Sequence, residues 1–413
     1  MDNCVIPQGY KATALGIIPQ EWEVRPLNYF GAICSGGTPD TEVAEYWNGD
    51  IAWCTPSDIT KLDTKYIEST EVKITAKGLK ESSASLLPPR SIVVCTRATI
   101  GNAAICNTEI ATNQGFKNII PNEKTNPEWL YYIIIYSKPR LVRLGCGSTF
   151  LEVSKKDFSR FKIAVPPLAE QRKIAEVLGV WDEAIEKQAR LIEKLALRKR
   201  ALMQRLLSAK LRLPGFSEPW KKVNYSDILK EVRRTLIWDE NELYDLISVR
   251  RRSGGVFHRE SLYGHEIKTK TLRPALEGDF LISKMQIVHG ASGVVPKQLS
   301  GMKISGSYIA LIAKDPKELN INYFNLWSQM PLFYHQTFVS SYGVHIEKMT
   351  FDLDAFMSLS MNLPPIEEQN RIVEVISTAT NEIELGKEKL ERLRRQKRGL
   401  MQQLLTGKKR VNY

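Results

Sequence analysis

The chain has few of the residues that do chemistry. Its 413 residues include six cysteines and five histidines. The cysteines, at positions 4, 34, 54, 95, 106 and 146, all lie in the first half, and no two are spaced as CxxC. That distribution argues against a zinc site or a disulfide framework and reads as reduced, mostly buried thiols. The histidines (His258, His265, His289, His335, His345) all fall in the second half, so no histidine site is common to both halves. There is no GxxxxGK[ST] phosphate loop. Gly290-Ala291-Ser292-Gly293 reads as a turn rather than a cofactor loop. Asn362-Leu363-Pro364-Pro365 lacks the aromatic of the Asn-Pro-Pro-Tyr motif of amino-methyltransferases. The longest aromatic-aliphatic run, Tyr131 to Tyr136, is far too short to span a membrane. The N-terminus has no signal-peptide pattern. These features predict a cytoplasmic, non-catalytic protein without a bound metal.

What the chain does have is a repeat. Pro166-Pro167-Leu168-Ala169-Glu170-Gln171 recurs 198 residues later as Pro364-Pro365-Ile366-Glu367-Glu368-Gln369. Leu202-Met203-Gln204-Arg205-Leu206-Leu207 recurs as Leu400-Met401-Gln402-Gln403-Leu404-Leu405, and Leu15 and Trp22 fall on Leu213 and Trp220. A repeat of this length sets the architecture. It divides the chain into a lobe over 1–165, a long helix over 166–213, a second lobe over 214–363 and a second long helix over 364–413.

Each helix carries an apolar seam at alternating steps of four and three. The first runs Ile174, Leu178, Trp181, Ile185, Gln188, Ile192, Leu195, Lys199, Leu202, Leu206. The second runs Ile372, Ile376, Ala379, Ile383, Gly386, Leu390, Leu393, Lys397, Leu400, Leu404, and its polar breaks coincide with those of the first. This is heptad spacing. A 33-residue seam is about 48 Å long at about 1.5 Å per residue, and it exposes too much apolar surface to stand alone. The cheapest partner for each helix is its copy. One helix leads into the second lobe and the other leaves it, so the pair should be antiparallel, with Gln188 facing Gly386 and a pseudo-twofold between them. The fold class is therefore α+β: two mixed α/β lobes and two long helices forming an antiparallel coiled coil.

The net charge of +12 is concentrated. The two helix segments carry +5 and +4, the lobes only +1 and +2. A basic excess suggests a polyanionic partner, although solvated helix faces with basic last turns would look the same. In the second lobe, Arg250-Arg251-Arg252-Ser253-Gly254-Gly255 is a basic, flexible turn suited to phosphates or a guanine edge, or simply a solvated loop. Lys284, Gln286 and His289 sit on one turn of that lobe, with Arg97, Thr99 and Asn102 in the comparable place in the first. Asn113-Gln114-Gly115-Phe116-Lys117 offers amides to adenine or forms a structural turn. Ser148 and Thr149 match the late position of His345, and Tyr308 stands near the place of Asn113.

Two lobes, each followed by Pro-Pro-x-x-Glu-Gln-x-x-Ile and a helix ending near Leu-Met-Gln-x-Leu-Leu, resemble the specificity subunit of type I restriction–modification enzymes. Ser35-Gly36-Gly37-Thr38-Pro39, Tyr46-Trp47-Asn48-Gly49-Asp50-Ile51 and Thr112-Asn113-Gln114-Gly115-Phe116 also resemble that family's target-recognition domains. In the second lobe, Ile304-Ser305-Gly306-Ser307-Tyr308 stands in place of the last motif. The resemblance implies that each lobe reads one half of a split, asymmetric site in double-stranded DNA. It implies that the helices dock two modification subunits, which carry S-adenosylmethionine and methylate adenine at N6. It also implies restriction subunits that use ATP and Mg, and no cofactor on this chain. Two other readings are a recognition subunit serving a fused nuclease–methylase and a coiled-coil scaffold without a nucleic-acid role.

Overall fold

A computed structural model describes residues 6–145 and 151–412. The chain forms two compact units that do not coincide with the four sequence segments. One comprises residues 1–191 and 386–413, the other 192–385. Each unit contains a lobe, the start of one long helix and the end of the other.

In the first unit, strands Gly31–Ser35, Phe116–Pro121, Ile92–Cys95, Ala103–Cys106 and Tyr66–Ile67 form a sheet in that order. All neighbours are antiparallel except the last pair. All four side chains of Ile92–Cys95 are buried, because both faces of the sheet are covered. Ile92 and Val94 pack with Trp129, Leu130 and Ile133 of the helix Pro127–Tyr136. Val93 and Cys95, on the opposite face by strand alternation, pack with Cys54, Ile59 and Phe116. The start of the helix is capped: Asn126 Oδ1 accepts the Trp129 N–H (2.8 Å) and Pro127 follows. Burial pushes the thiol of Cys95 up to about 11 and that of Cys106 up to about 12, so both stay protonated and unreactive. Cys4 and Cys146 lie outside the described residues.

The second unit uses the same plan. Its main sheet runs Leu229–Glu231, Tyr308–Ala313, Phe280–Ser283, Ser292–Val294. Phe280 and Ile282 face the aromatic helix cluster of Phe324 and Phe333, while Leu281 faces the other side. The second lobe adds a long strand, Val256–Tyr263, paired antiparallel with Leu243–Val249.

The two long helices span Leu168–Leu207 and Ile366–Leu405. Each has 40 residues, about 60 Å at about 1.5 Å per residue, so the helix runs past both ends of its seam. Their direction is visible within each unit. In the first, Ile174 and Leu178 near the start of one helix share a core with Met401, Leu404 and Leu405 at the end of the other. In the second, Leu206 and Leu207 share a core with Ile372 and Ile376. The pairing is antiparallel in both. No seam residue is exposed, and Gln188 Nε2 donates to Gly386 O (3.2 Å), so the central polar break meets its copy. The Lys397 break is also filled: its ammonium pairs with Asp182, which accepts from Tyr132 Oη (2.5 Å). Thr380 stands 198 residues after Asp182, so the second unit lacks this carboxylate.

The Glu-Gln of the repeated motif is buried in both copies. Glu170 Oε2 accepts from Trp22 Nε1 (2.8 Å), and Arg410 donates to both carboxylate oxygens (2.6 and 3.0 Å). Glu368 Oε2 accepts from Trp220 Nε1 (3.0 Å), and Arg212 donates to both oxygens (2.8 and 2.9 Å). All three members of each clamp lie 198 residues from their counterparts. Gln171 accepts from the Asn126 backbone N–H (3.0 Å) and donates to Pro166 O (3.1 Å). Gln369 does the same with Asn320 (2.9 Å) and Pro364 (2.9 Å). The motif is thus a joint: the carboxylate ties the lobe entry to the other helix's trailing segment, and the amide ties the helix start to the aromatic helix. Gly407, at φ 71°, ends the second helix. A Cβ there would lie 2.3 Å from Pro19, so this turn seats directly on the first lobe's opening hairpin.

Removing either arginine would leave a buried carboxylate with only an indole partner. We expect Arg410→Ala and Arg212→Ala each to cost about 2–4 kcal/mol, because breaking one side of a buried pair strands the other charge. Chemical denaturation of the full chain checks this, and an unchanged midpoint would contradict the joint.

Candidate nucleic-acid interface

In the first lobe three loops converge. Arg97, Thr99 and Asn102 occupy the turn between Ile92–Cys95 and Ala103–Cys106, which is closed by Gly101 N–H to Cys95 O (2.8 Å). Ala98 in that turn has φ 60° and Gly101 φ 83°, so the turn is tightly folded. The Asn113 loop lies beside it. Thr96 N–H donates to Gly115 O (2.8 Å), and Asn113 Oδ1 accepts the Gly115 N–H (2.9 Å). The third loop is Ser35–Pro39: Gly37 N–H donates to Thr112 O (2.9 Å), and the Thr38 hydroxyl donates to the Gln114 side chain. A Cβ on Gly36 would lie 1.9 Å from Asn113 O, which is why glycine stands there.

The predicted site residues differ in what they can still do. Asn113 spends its side-chain oxygen on its own loop, so it shapes the loop. Gln114 is exposed at the loop tip, where Thr38 donates to its side-chain oxygen. The sequence pattern points to the amides of Asn113 and Gln114 but not to the Thr38 hydroxyl, for which the Gly36-Gly37 pair is the usable signal. Lys117 is buried, 3.4 Å from Glu152. Arg97 forms a backbone bridge with Glu152. Thr99 is half-buried, and Asn102 Oδ1 accepts from Lys138 Nζ (2.6 Å). Ser148 and Thr149 lie outside the described residues.

In the second lobe the arginine turn is fixed by backbone bonds. Arg252 N–H donates to His289 O (2.7 Å) and Ser253 N–H to Gly290 O (2.8 Å). Arg252 and Ser253 both have left-handed backbones, φ 57° and 53°, a conformation held only where the surroundings enforce it. Arg251 donates to Gln286 Oε1 (2.6 Å) and to Glu347 (2.8 Å), and His289 Nε2 lies 3.2 Å from the same carboxylate. Arg250 stacks on Phe257, 4.0 Å from the ring centroid. The Arg252 side chain is exposed and makes no hydrogen bond or ion pair among the described residues. Lys284 joins the cluster through its backbone, which bonds to Ser307 and Phe351. Tyr308 Oη is 2.7 Å from Ser248 Oγ, and His345 precedes the short helix holding Glu347. Arginine 250–252, Gln286, His289 and the 345–348 segment are therefore brought together. Glu347, missed from sequence, holds Arg251 and is itself an acceptor suited to a cytosine amino group. Charged and amide groups on short, rigid turns can donate to phosphates and read base edges; no arrangement of nucleophile and base appears among them.

The chain is similar in sequence and fold to known proteins. The family described as type I restriction modification DNA specificity domain matches residues 19–196 and again 217–395. The MjaIX type I restriction enzyme specificity subunit of Methanocaldococcus jannaschii is 39% identical over 46% of this chain and 45% of that protein. The EcoR124I/EcoR124II specificity subunit of Escherichia coli is 29% identical over 42% of this chain and 44% of that protein. The chain thus spans about half the length of these relatives in alignment. A solved structure described as concerning complex assembly and conformational transition of the type I R-M system superposes with TM-score 0.62 at 19% identity. It covers 94% of this chain and 99% of that one, which shows a shared fold.

Gly36→Ala should force the Ser35–Pro39 loop off the Asn113 loop, at a cost of about 1–3 kcal/mol for the overpacking. Hydrogen exchange should rise at residues 112–116 and stay unchanged in the second unit. Unaltered exchange at 112–116 would mean that the loops are not coupled.

Proposed function

Because the chain belongs to the type I restriction–modification DNA specificity family, we propose that it is the non-catalytic DNA-recognition subunit of such an enzyme. In this reading each lobe reads one half of a bipartite target. The observation that carries it is the contrast between the two halves. The same clamp, Trp22·Glu170·Arg410 and Trp220·Glu368·Arg212, supports both lobes. On that common support sit different loops: Thr38, Gln114 and Arg97 in one, Arg250–Arg252, Gln286 and Glu347 in the other. Different loops call for different half-sites, so the target is asymmetric. The lobes act as target-recognition domains over 1–165 and 214–363.

The partners follow from the same reading: double-stranded DNA, two modification subunits docked on the long helices, and restriction subunits. S-adenosylmethionine would be carried by the modification subunits, with the target adenine flipped out for methylation. ATP and Mg would belong to the restriction subunits. No helix among the described residues is long and apolar enough to cross a membrane, and the place of action is the cytoplasm.

The helices set the half-site spacing. Adding one heptad to both should lengthen each by about 10 Å, or about three base pairs. Co-expression with the modification subunit, followed by sequencing that detects methyladenine, should show a bipartite motif whose spacer grows by that amount in the lengthened variant. A continuous palindrome would overturn the recognition reading, and an unchanged spacer would overturn the ruler.

A further inference from the structure

The first lobe holds a basic cleft that its reading loops do not explain. The cleft is about 430 Å³ and lies among the short helix Lys138–Val142, the helix Lys155–Arg160 and the strand that follows. Arg140, Arg143, Arg160 and Lys162 line it, and Asp157 is the one carboxylate in the lining. Asp157 is already engaged in its helix cap: its carboxylate accepts from Ser154 Oγ (2.6 Å), and its N–H donates to the same oxygen (3.1 Å).

The cations are arranged rather than scattered. Arg140 donates to Lys162 O (2.9 Å), and its guanidinium lies 4.6 Å from the Phe161 ring centroid. This fixes one wall. Burial makes its charge costlier and pulls its proton affinity down from the ordinary value, but a guanidinium stays charged at neutral pH. Arg143 and Arg160 are exposed and make no side-chain hydrogen bond or ion pair among the described residues. Four cations held together against one occupied carboxylate repel one another, and a multivalent anion relieves that repulsion. Planar guanidinium forks suit phosphate oxygens in particular.

The cleft is joined to the turn that carries Arg97 and Thr99. Lys138 Nζ donates to Asn102 Oδ1 (2.6 Å), and a Cβ on Gly101 would lie 2.8 Å from Lys138 Cγ. Lys138 begins the helix that holds Arg140 and leads to Arg143. The turn and the cleft are therefore one mechanical piece. Such coupling is what register requires, since phosphate contacts position a reading loop while base contacts specify the sequence. At the 198-residue offset, Arg160 and Lys162 become Ser358 and Ser360, so the device belongs to the first lobe.

Resting on the DNA-recognition reading above, we propose that this cleft is a phosphate clamp. Arg143 and Arg160 grip the sugar-phosphate backbone of duplex DNA beside the first half-site.

The test uses the full chain and two duplexes: one of mixed sequence, one carrying the methylated motif once mapped. Binding is measured across a salt series for the parent, an Arg143→Ala/Arg160→Ala double variant and an Arg143→Lys/Arg160→Lys double variant. The alanine variant should bind both duplexes about tenfold more weakly, and its slope of log affinity against log salt should fall by about 1.8, or about 0.9 per lost phosphate contact. The ratio between the duplexes should not change. The lysine variant should keep the parental slope. Both positions are exposed, so the unfolding midpoint should stay at the parental value. An alanine variant with the parental slope overturns the clamp while leaving the recognition reading intact. A loss confined to the mapped motif also overturns it, because that marks base reading. A parent that binds neither duplex overturns the recognition reading and the clamp with it.

Discussion

A carboxylate buried at the first turn of each long helix is the constraint around which the rest of the structure is arranged. A lone ionised carboxylate in an apolar core is prohibitively costly, so Glu170 and Glu368 must each be met by donors. The indoles of Trp22 and Trp220 supply one, and the forks of Arg410 and Arg212 supply two. Each tryptophan enters from its lobe. Each arginine arrives from the segment trailing the opposite long helix. Satisfying the charge therefore requires the two helices to run antiparallel, with the end of one beside the start of the other. The same atoms do this twice, although the arginine lies 240 residues after its glutamate in one unit and 156 before it in the other.

From that joint the order propagates outward. The adjacent glutamine caps the chain entering the aromatic helix in both lobes. That helix covers one face of the main sheet, while a second sheet covers the other. A sheet buried on both faces has little freedom to slip, because a shift of one residue would exchange the two sets of side chains. Its strand-end turns inherit that rigidity. Loops on short turns between such strands are held to a fixed position without packing of their own, so they can differ between the lobes while the support stays constant. The arginine turn of the second lobe is the clearest case: two successive left-handed residues are tolerated because their N–H groups bond to His289 and Gly290.

The polar breaks in the seam show how a repeat diverges under one set of rules. Gln188 meets Gly386, where the absence of a side chain leaves a backbone carbonyl for the amide to reach. Lys397 and Lys199 occupy equivalent places; Lys397 faces the carboxylate of Asp182, and the position equivalent to Asp182 holds Thr380. Asp182 joins Tyr132 and Lys65, whose ammonium donates to the Tyr132 hydroxyl (2.9 Å), so the first lobe is tied to its helix pair by a polar network. In the second unit Thr380 removes the charge that would build it.

The repeat, the heptad seams, the antiparallel pairing and the Gln188–Gly386 contact can be read from the chain before it folds, because periodicity and equal spacing are properties of the chain alone. So can the turns that carry Arg97 and Arg250–Arg252, since glycine and charge mark them locally. The purpose of the Glu-Gln in the motif emerges in the folded chain, because the partners of Glu170 come from positions 22 and 410 and no local pattern links them. Folding likewise buries Lys117 and spends Asn113 on its own loop, while Gln114, Thr38 and Glu347 take the exposed or bridging places. A side chain's role at an interface depends on which neighbour uses its donors first. That competition is settled by residues far apart in the chain, so it becomes visible only when the loops are brought together.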